Sequence, residues 1–101
     1  MSHNNNQNEQ WKLLVLILKE IADQKGISQV EIAEKSGIHQ SHISRFFALK
    51  FPPNIHTFLN IAKAIGVNFF FEDKDDKTDF TIVFEKAMTA LGRRPDKIPK
   101  N

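Results

Sequence analysis

Residues 26–67 read GISQVEIAEKSGIHQSHISRFFALKFPPNIHTFLNIAKAIGV, and the punctuation of this stretch places three helices on it. Ser28 and Glu31 form an S-x-x-E pattern, in which the serine oxygen accepts from a first-turn amide and the glutamate accepts from the serine amide. A helix that starts there runs through Ile32 and Ala33 to about Lys35, and Gly37 lets the chain turn. The next helix is expected from roughly Gln40 to Leu49. At 3.6 residues per turn, Ile43, Phe46 and Phe47 fall within one narrow arc, with Ser41, Ser44, Arg45 and Ala48 opposite; the first arc is core and the second faces out. Phe51-Pro52-Pro53 then breaks the chain, because proline cannot continue a helix and biases the residue before it toward extended geometry. Asn54 caps a further helix to about Ile65, with Ile55, Phe58, Ile61, Ala62 and Ile65 as its apolar stripe and Gly66 as its stop.

Upstream, Glu9 to Lys25 (EQWKLLVLILKEIADQK) reads as a helix ended by Gly26. Trp11, Leu14, Leu18 and Ile21 follow the helical repeat, but Leu13, Val15, Leu16 and Ile17 make the helix apolar nearly all round, so one face needs an additional cover. Residues 1–8, rich in Asn and Gln, are expected to be disordered. Downstream, Val67 to Glu72 (VNFFFE) has strand-like composition, with strand and extended loop both open. Asp79 can cap a fifth helix in which Phe80, Val83, Phe84, Ala87, Met88 and Leu91 recur at helical spacing, ended by Gly92 and Pro95. The expected organisation is therefore a disordered segment 1–8, a helical domain 9–67, an extension 68–92 suited to dimerisation, and a basic flexible tail 93–101.

Composition agrees with one soluble domain. The 101 residues are 41% hydrophobic and 26% charged, with no cysteine, so disulfides, thiolate zinc sites and a catalytic cysteine are excluded. The longest apolar run, Leu13 to Leu18, is far short of the ~20 residues that cross a bilayer, and the start lacks the pattern of a signal peptide; a cytoplasmic protein without membrane contact is expected. The formal charge of +2 is segregated along the chain. Residues 28–66 carry Lys35, Arg45, Lys50 and Lys63 against Glu31 and Glu34, residues 72–79 (EDKDDKTD) are acidic, and GRRPDKIPKN at the end is basic. The basic segments suit an anionic partner.

Two short helices joined by a glycine turn, the second with a small polar outer face, is the arrangement that puts one helix into the DNA major groove. Gln40 offers the donor and acceptor that suit adenine, and Arg45, one turn further, offers the planar fork that suits guanine O6 and N7. Ser41 and Ser44 are short enough to let the backbone approach the bases. Lys50, past the helix end, is a candidate phosphate contact from the loop. His39 and His42 stand three apart, but no cysteine or adjacent acid completes a metal site, and neither a metal nor a cofactor is expected. No nucleophile, base and orienting acid converge, and no glycine-rich phosphate loop is present, so no enzyme is expected.

The runs GISQVEIAEKSGIHQSHISRF and PPNIHTFLNIAKAIGV resemble the lambda-repressor-like, or Xre-type, helix-turn-helix family over roughly Leu18 to Val67. The resemblance is carried by Gln29, Ile32, Ala33, Gly37, Ile43, Ser44, Arg45, Ile61, Ala62 and Ile65. It implies an all-α bundle of four to five helices, here with a C-terminal extension, that binds operator DNA, commonly as a two-fold dimer. It also implies phosphate contacts for Gln29 and His39. Two departures stand out. Many members pair an arginine of the first helix with a glutamate at the end of the recognition helix, where this chain has Ala22 and Phe47, and FALKF replaces the family's glycine turn. Exchanging both members of a buried ion pair for apolar groups leaves the fold intact, but the loop after Leu49 is left open. The sequence thus points to an operator-binding regulator on double-stranded DNA, expected to be a homodimer. An antitoxin that also binds a toxin, and a protein-interaction module on the same fold, are the alternatives.

Overall fold

The computed structural model describes residues 9–69 and 71–92, which form five helices and, among the described residues, no strand. The helices are α1 (Gln10–Lys25), α2 (Gln29–Ser36), α3 (Gln40–Phe47), α4 (Ile55–Ile65) and α5 (Phe80–Ala90). The protein is all-α, as the lambda-repressor-like reading requires. Two compact units part between Val67 and Asn68, the first holding α1 to α4 and the second α5. Of the two outcomes open for residues 67–72, the extended loop is the one found at its described positions. The disorder expected of residues 1–8 and the flexible tail 93–101 lie outside the described residues.

The local signals act as their chemistry dictates. The Ser28 hydroxyl accepts from the Glu31 amide at 3.1 Å while the Glu31 carboxylate accepts from the Ser28 amide at 3.2 Å, which completes the capping box of α2. Asn54 Oδ1 accepts from the Thr57 amide at 2.8 Å at the start of α4. Asp79 Oδ1 accepts from the amides of Thr81 and Ile82 at the start of α5. In the loop before α5, the Thr78 hydroxyl and the Asp75 amide donate to Asp73 and hold its carboxyl below the ordinary carboxylate value.

The core of the first unit is one cluster: Val15, Leu18 and Ala22 from α1, Ile32 from α2, Ile43, Phe46 and Phe47 from α3, and Ile61, Ala62 and Ile65 from α4. Ile43 and Ile61 have no exposed surface, and burial of this kind contributes about 1.5–3 kcal/mol per large aliphatic side chain. Phe46 packs edge-on to Phe47, with ring centroids 5.0 Å apart, and lies 6.3 Å from Phe58, which fastens α3 to α4. Two polar contacts close the unit. Asn60 Nδ2 donates to the Ser36 carbonyl at 3.1 Å and anchors the end of α2 to α4. Lys25 Nζ donates to the Ile65 carbonyl at 2.6 Å, so the last residue of α1 caps the end of α4. That ammonium also lies 2.7 Å from where a Cβ on Gly66 would stand.

Two expectations about which residues pack, and one helix boundary, need correction. In α1 the buried line is Val15, Leu18 and Ala22, with Trp11 and Ile21 partly buried, whereas Leu14 is 44% exposed. Periodicity alone could not choose between two overlapping apolar stripes, and the small Ala22 selects the face that can approach α3 closely. Ile55 is 74% exposed although it belongs to the stripe of α4, because it lies in the first turn, ahead of the buried length of the helix. Helix α3 ends at Phe47 rather than Leu49: Ala48 is its C-cap and Leu49 has φ +61°.

Leu49 therefore does what glycine does at the other turn of the motif, where Gly37 has φ +76°. A side chain in this left-handed region costs about 1–2 kcal/mol, which Leu49 offsets by packing, partly buried, against the core. The two contributions can be separated. Leu49→Ala removes the packing and keeps the strain, whereas Leu49→Gly removes both, so the glycine variant is expected to be the more stable of the two by about 1 kcal/mol in urea unfolding. That order is the reverse of the one found within a helix.

Candidate nucleic-acid interface

The position of α3 determines what the molecule can touch. Ile43, Phe46 and Phe47 are buried, while Gln40, Ser41, His42, Ser44, Arg45 and Ala48 are exposed. Successive positions are rotated by about 100°, so Ser44, Ala48, Ser41 and Arg45 share an outward arc of roughly that width. The arc carries short side chains with one long cation at its edge, and no acid occurs in the helix.

The start of α3 differs from the starts of α2, α4 and α5. The His39 carbonyl accepts from the amides of His42 and Ile43, but the His39 side chain makes no cap bond. The leading amides of α3 are therefore not satisfied by a cap, and a helix start of this kind attracts anions. His39 itself is exposed beside them.

The other expected site residues lie off this helix. Gln29 is the first residue of α2, directly after its Ser28 cap, and is half-buried at the edge of a depression of about 150 Å³ that it shares with Lys19, Asp23 and Phe47. Lys50 is exposed in the loop that follows the left-handed Leu49. The structure thus gathers Ser41, Ser44 and Arg45 on one exposed helix face, with His39 and Gln40 exposed at its head. Gln29 and Lys50 come from the preceding helix and the following loop. Among the described residues, no group of three or more metal-ligating side chains is brought together.

One neighbour of this face is not announced by periodicity or capping. The Arg45 guanidinium carbon lies over the ring of Phe51, 5.3 Å from its centroid. In the sequence, Phe51 serves only to mark the chain break before Pro52. The available signal was an aromatic residue six positions beyond an outward arginine, just before two prolines that stiffen the returning chain.

Phe47 and Ala22 explain how α3 keeps its position without the family's ion pair. Both are buried, in the same cluster as Ile32, and both border the depression beside Gln29. Apolar side chains at both positions leave no buried charge to be paired.

A helix-turn-helix with a polar outward second helix is the class of protein that this geometry defines. The family model described as Helix-turn-helix matches residues 18–71, and the chain belongs to that family, the Xre-type or lambda-repressor-like helix-turn-helix proteins. DNA is its partner, and the family's role is regulatory rather than catalytic. Among the described residues, no helix is long and apolar enough to cross a membrane. Comparison with curated proteins and with solved structures gives no match.

The Phe47–Ala22 arrangement can be tested by returning to the ion pair. Phe47→Glu alone buries a carboxylate with no cation opposite, and a loss of about 3–5 kcal/mol is expected in denaturant unfolding. Adding Ala22→Arg to that variant should recover part of the loss. A double variant no more stable than the single one would show that the two positions do not face each other.

Proposed function

We propose that the protein is a sequence-specific transcriptional regulator that recognises operator DNA by placing α3 in the major groove. The observation that carries this reading is the division of α3 into a buried arc of Ile43, Phe46 and Phe47 and an exposed arc of Ser41, Ser44 and Arg45. In this reading Gln40 and Arg45 read base edges, while Ser41 and Ser44 allow close approach of the helix. His39, with the uncapped amides of α3, Gln29 and Lys50 hold phosphates on either side, so that register is set by the backbone and preference by the bases. Selection of bound duplexes from random DNA tests the proposal. One preferred sequence, bound with an affinity that falls linearly with salt on logarithmic axes, is expected, and no preference over bulk DNA at moderate salt would refute it.

The molecule is proposed to act as a homodimer. Leu13, Leu16 and Ile17 on α1 are 40–53% exposed, and in the second unit Ile82, Val83, Phe84 and Leu91 are 42–69% exposed. Apolar surface of this kind is characteristic of interfaces. A two-fold dimer reads half-sites about 34–36 Å apart or at a multiple of that spacing. The same surfaces support a second reading, an antitoxin whose toxin covers them while α3 binds the operator. A protein-interaction module without DNA affinity is disfavoured by the polar outward arc.

Two measurements follow. Sedimentation should give a dimer, free or on DNA, and a monomer in both states would contradict the assembly. Arg45→Ala should cost roughly 1–3 kcal/mol on the preferred site and relax preference at one base pair, a guanine by the chemistry of the guanidinium fork. Lys50→Ala should instead weaken all sequences alike and lower the salt slope by about one ion. Titrating both variants on the preferred site and its single-base variants, at several salt concentrations, separates the two outcomes.

A further inference from the structure

We propose that Phe51 is a positioning residue for base recognition: its ring holds the Arg45 guanidinium in the orientation that reads a base edge. This rests on the reading of Arg45 as a groove contact given above. An exposed arginine has many rotamers, and ordering it on DNA forfeits much of that freedom. The ring reduces the loss in advance, because the guanidinium carbon already lies 5.3 Å from the Phe51 centroid, within the reach of a cation–π contact.

The chemistry of the two groups makes this contact compatible with reading DNA. A guanidinium is planar; its face stacks on a ring while its N–H edge stays free to donate to a guanine O6 and N7. A carboxylate in the place of Phe51 would occupy that edge and neutralise the charge. The structure has no such competitor: the ion pairs among the described residues are Lys12–Glu9 and Lys19–Asp23, both on α1 or at its start.

The backbone that carries the ring is itself constrained. Leu49, at φ +61°, turns the chain at the end of α3, and Pro52 and Pro53 fix the backbone that follows. Phe51 stands in the wall of a depression of about 210 Å³ together with His42, Phe46, Pro53 and Thr57, and it remains 39% exposed. Phe46 belongs to the core cluster, so the depression that Phe51 borders is floored by the interior. The substitution of FALKF for a glycine turn thereby acquires a role, since it delivers an aromatic residue to the reading arginine.

The test compares Phe51→Ala, Phe51→Leu and Phe51→Tyr, each alone and in an Arg45→Ala background, on the duplex obtained by selection and on its single-base variants. Thermal melting of each variant is measured alongside, and Phe51→Leu keeps apolar bulk in the depression. Phe51→Leu and Phe51→Ala should weaken binding roughly two- to fivefold, the size of an exposed cation–π contact, and relax preference at the same base pair as Arg45→Ala. They should add nothing once Arg45 is gone, and Phe51→Tyr should restore binding. In the free protein, ring-shifted Arg45 side-chain proton resonances should persist in Phe51→Tyr and move to solvent-exposed positions in Phe51→Leu. Wild-type binding by Phe51→Leu, or equal losses for Phe51→Ala with and without Arg45, would overturn the proposal. If Arg45→Ala relaxes base preference and the Phe51 variants do not, the groove reading stands and the positioning role alone falls. If Arg45→Ala leaves base preference unchanged, both fall.

Discussion

Three side chains on an eight-residue helix, Ile43, Phe46 and Phe47, hold the four helices of the first unit to one arrangement. A helix of two turns has almost no stability of its own in water, so α3 exists because its buried arc is packed against α2 and α1, with Phe46 reaching Phe58 of α4. That packing also fixes the rotation of the helix about its axis. The rotation decides which residues are offered outward, and Ser41, Ser44 and Arg45 are exposed because the three apolar residues cannot be. Folding and the choice of the exposed face therefore depend on the same few contacts. Moving the apolar arc by one position would turn a phenylalanine toward the solvent and a serine into the core.

The exchange of an ion pair for Phe47 and Ala22 is consistent with this division of labour. A buried pair must satisfy both charges and their remaining hydrogen bonds to be worth keeping. Apolar side chains at both positions carry no such requirement, and Phe47 also packs edge-on to Phe46. The polar bonds that remain, from Asn60 to Ser36 and from Lys25 to Ile65, go to backbone carbonyls at helix ends, where an acceptor is otherwise left unpaired.

Much of this was legible in the sequence because it is written in local chemistry. Ser28 with Glu31, Asn54 and Asp79 cap the helices they announce, since a cap requires only residues within one turn of each other. The arc of α3 was also legible, as the helical step and residue type suffice to separate Ile43, Phe46 and Phe47 from Ser44 and Arg45. What escaped was set by neighbours distant in sequence or by unusual backbone. Leu14 and Ile55 fit their stripes, but periodicity gives no information on which of two stripes meets a partner or how far that partner extends. The end of α3 was misplaced because leucine seldom adopts the left-handed conformation that Leu49 has. Phe51 looked like part of a break, and its place beside Arg45 follows from that same turn. The surplus apolar faces of α1 and α5 were evident in the sequence, whereas the surface that covers them is a property of an assembly.

The bond from Lys25 to the Ile65 carbonyl joins residues forty positions apart, and it has a consequence for how this chain can change over generations. The ammonium stands where a Cβ at position 66 would bring a side chain within 2.7 Å. A substitution at Gly66 carries the cost of its left-handed backbone and also displaces the lysine from the carbonyl. Once position 25 has lost its lysine, only the backbone cost remains, and asparagine, the usual alternative to glycine at such an end, becomes admissible. The second change is therefore cheaper than the first would have been alone. Changes at positions 25 and 66 are energetically coupled, each lowering the cost of the other.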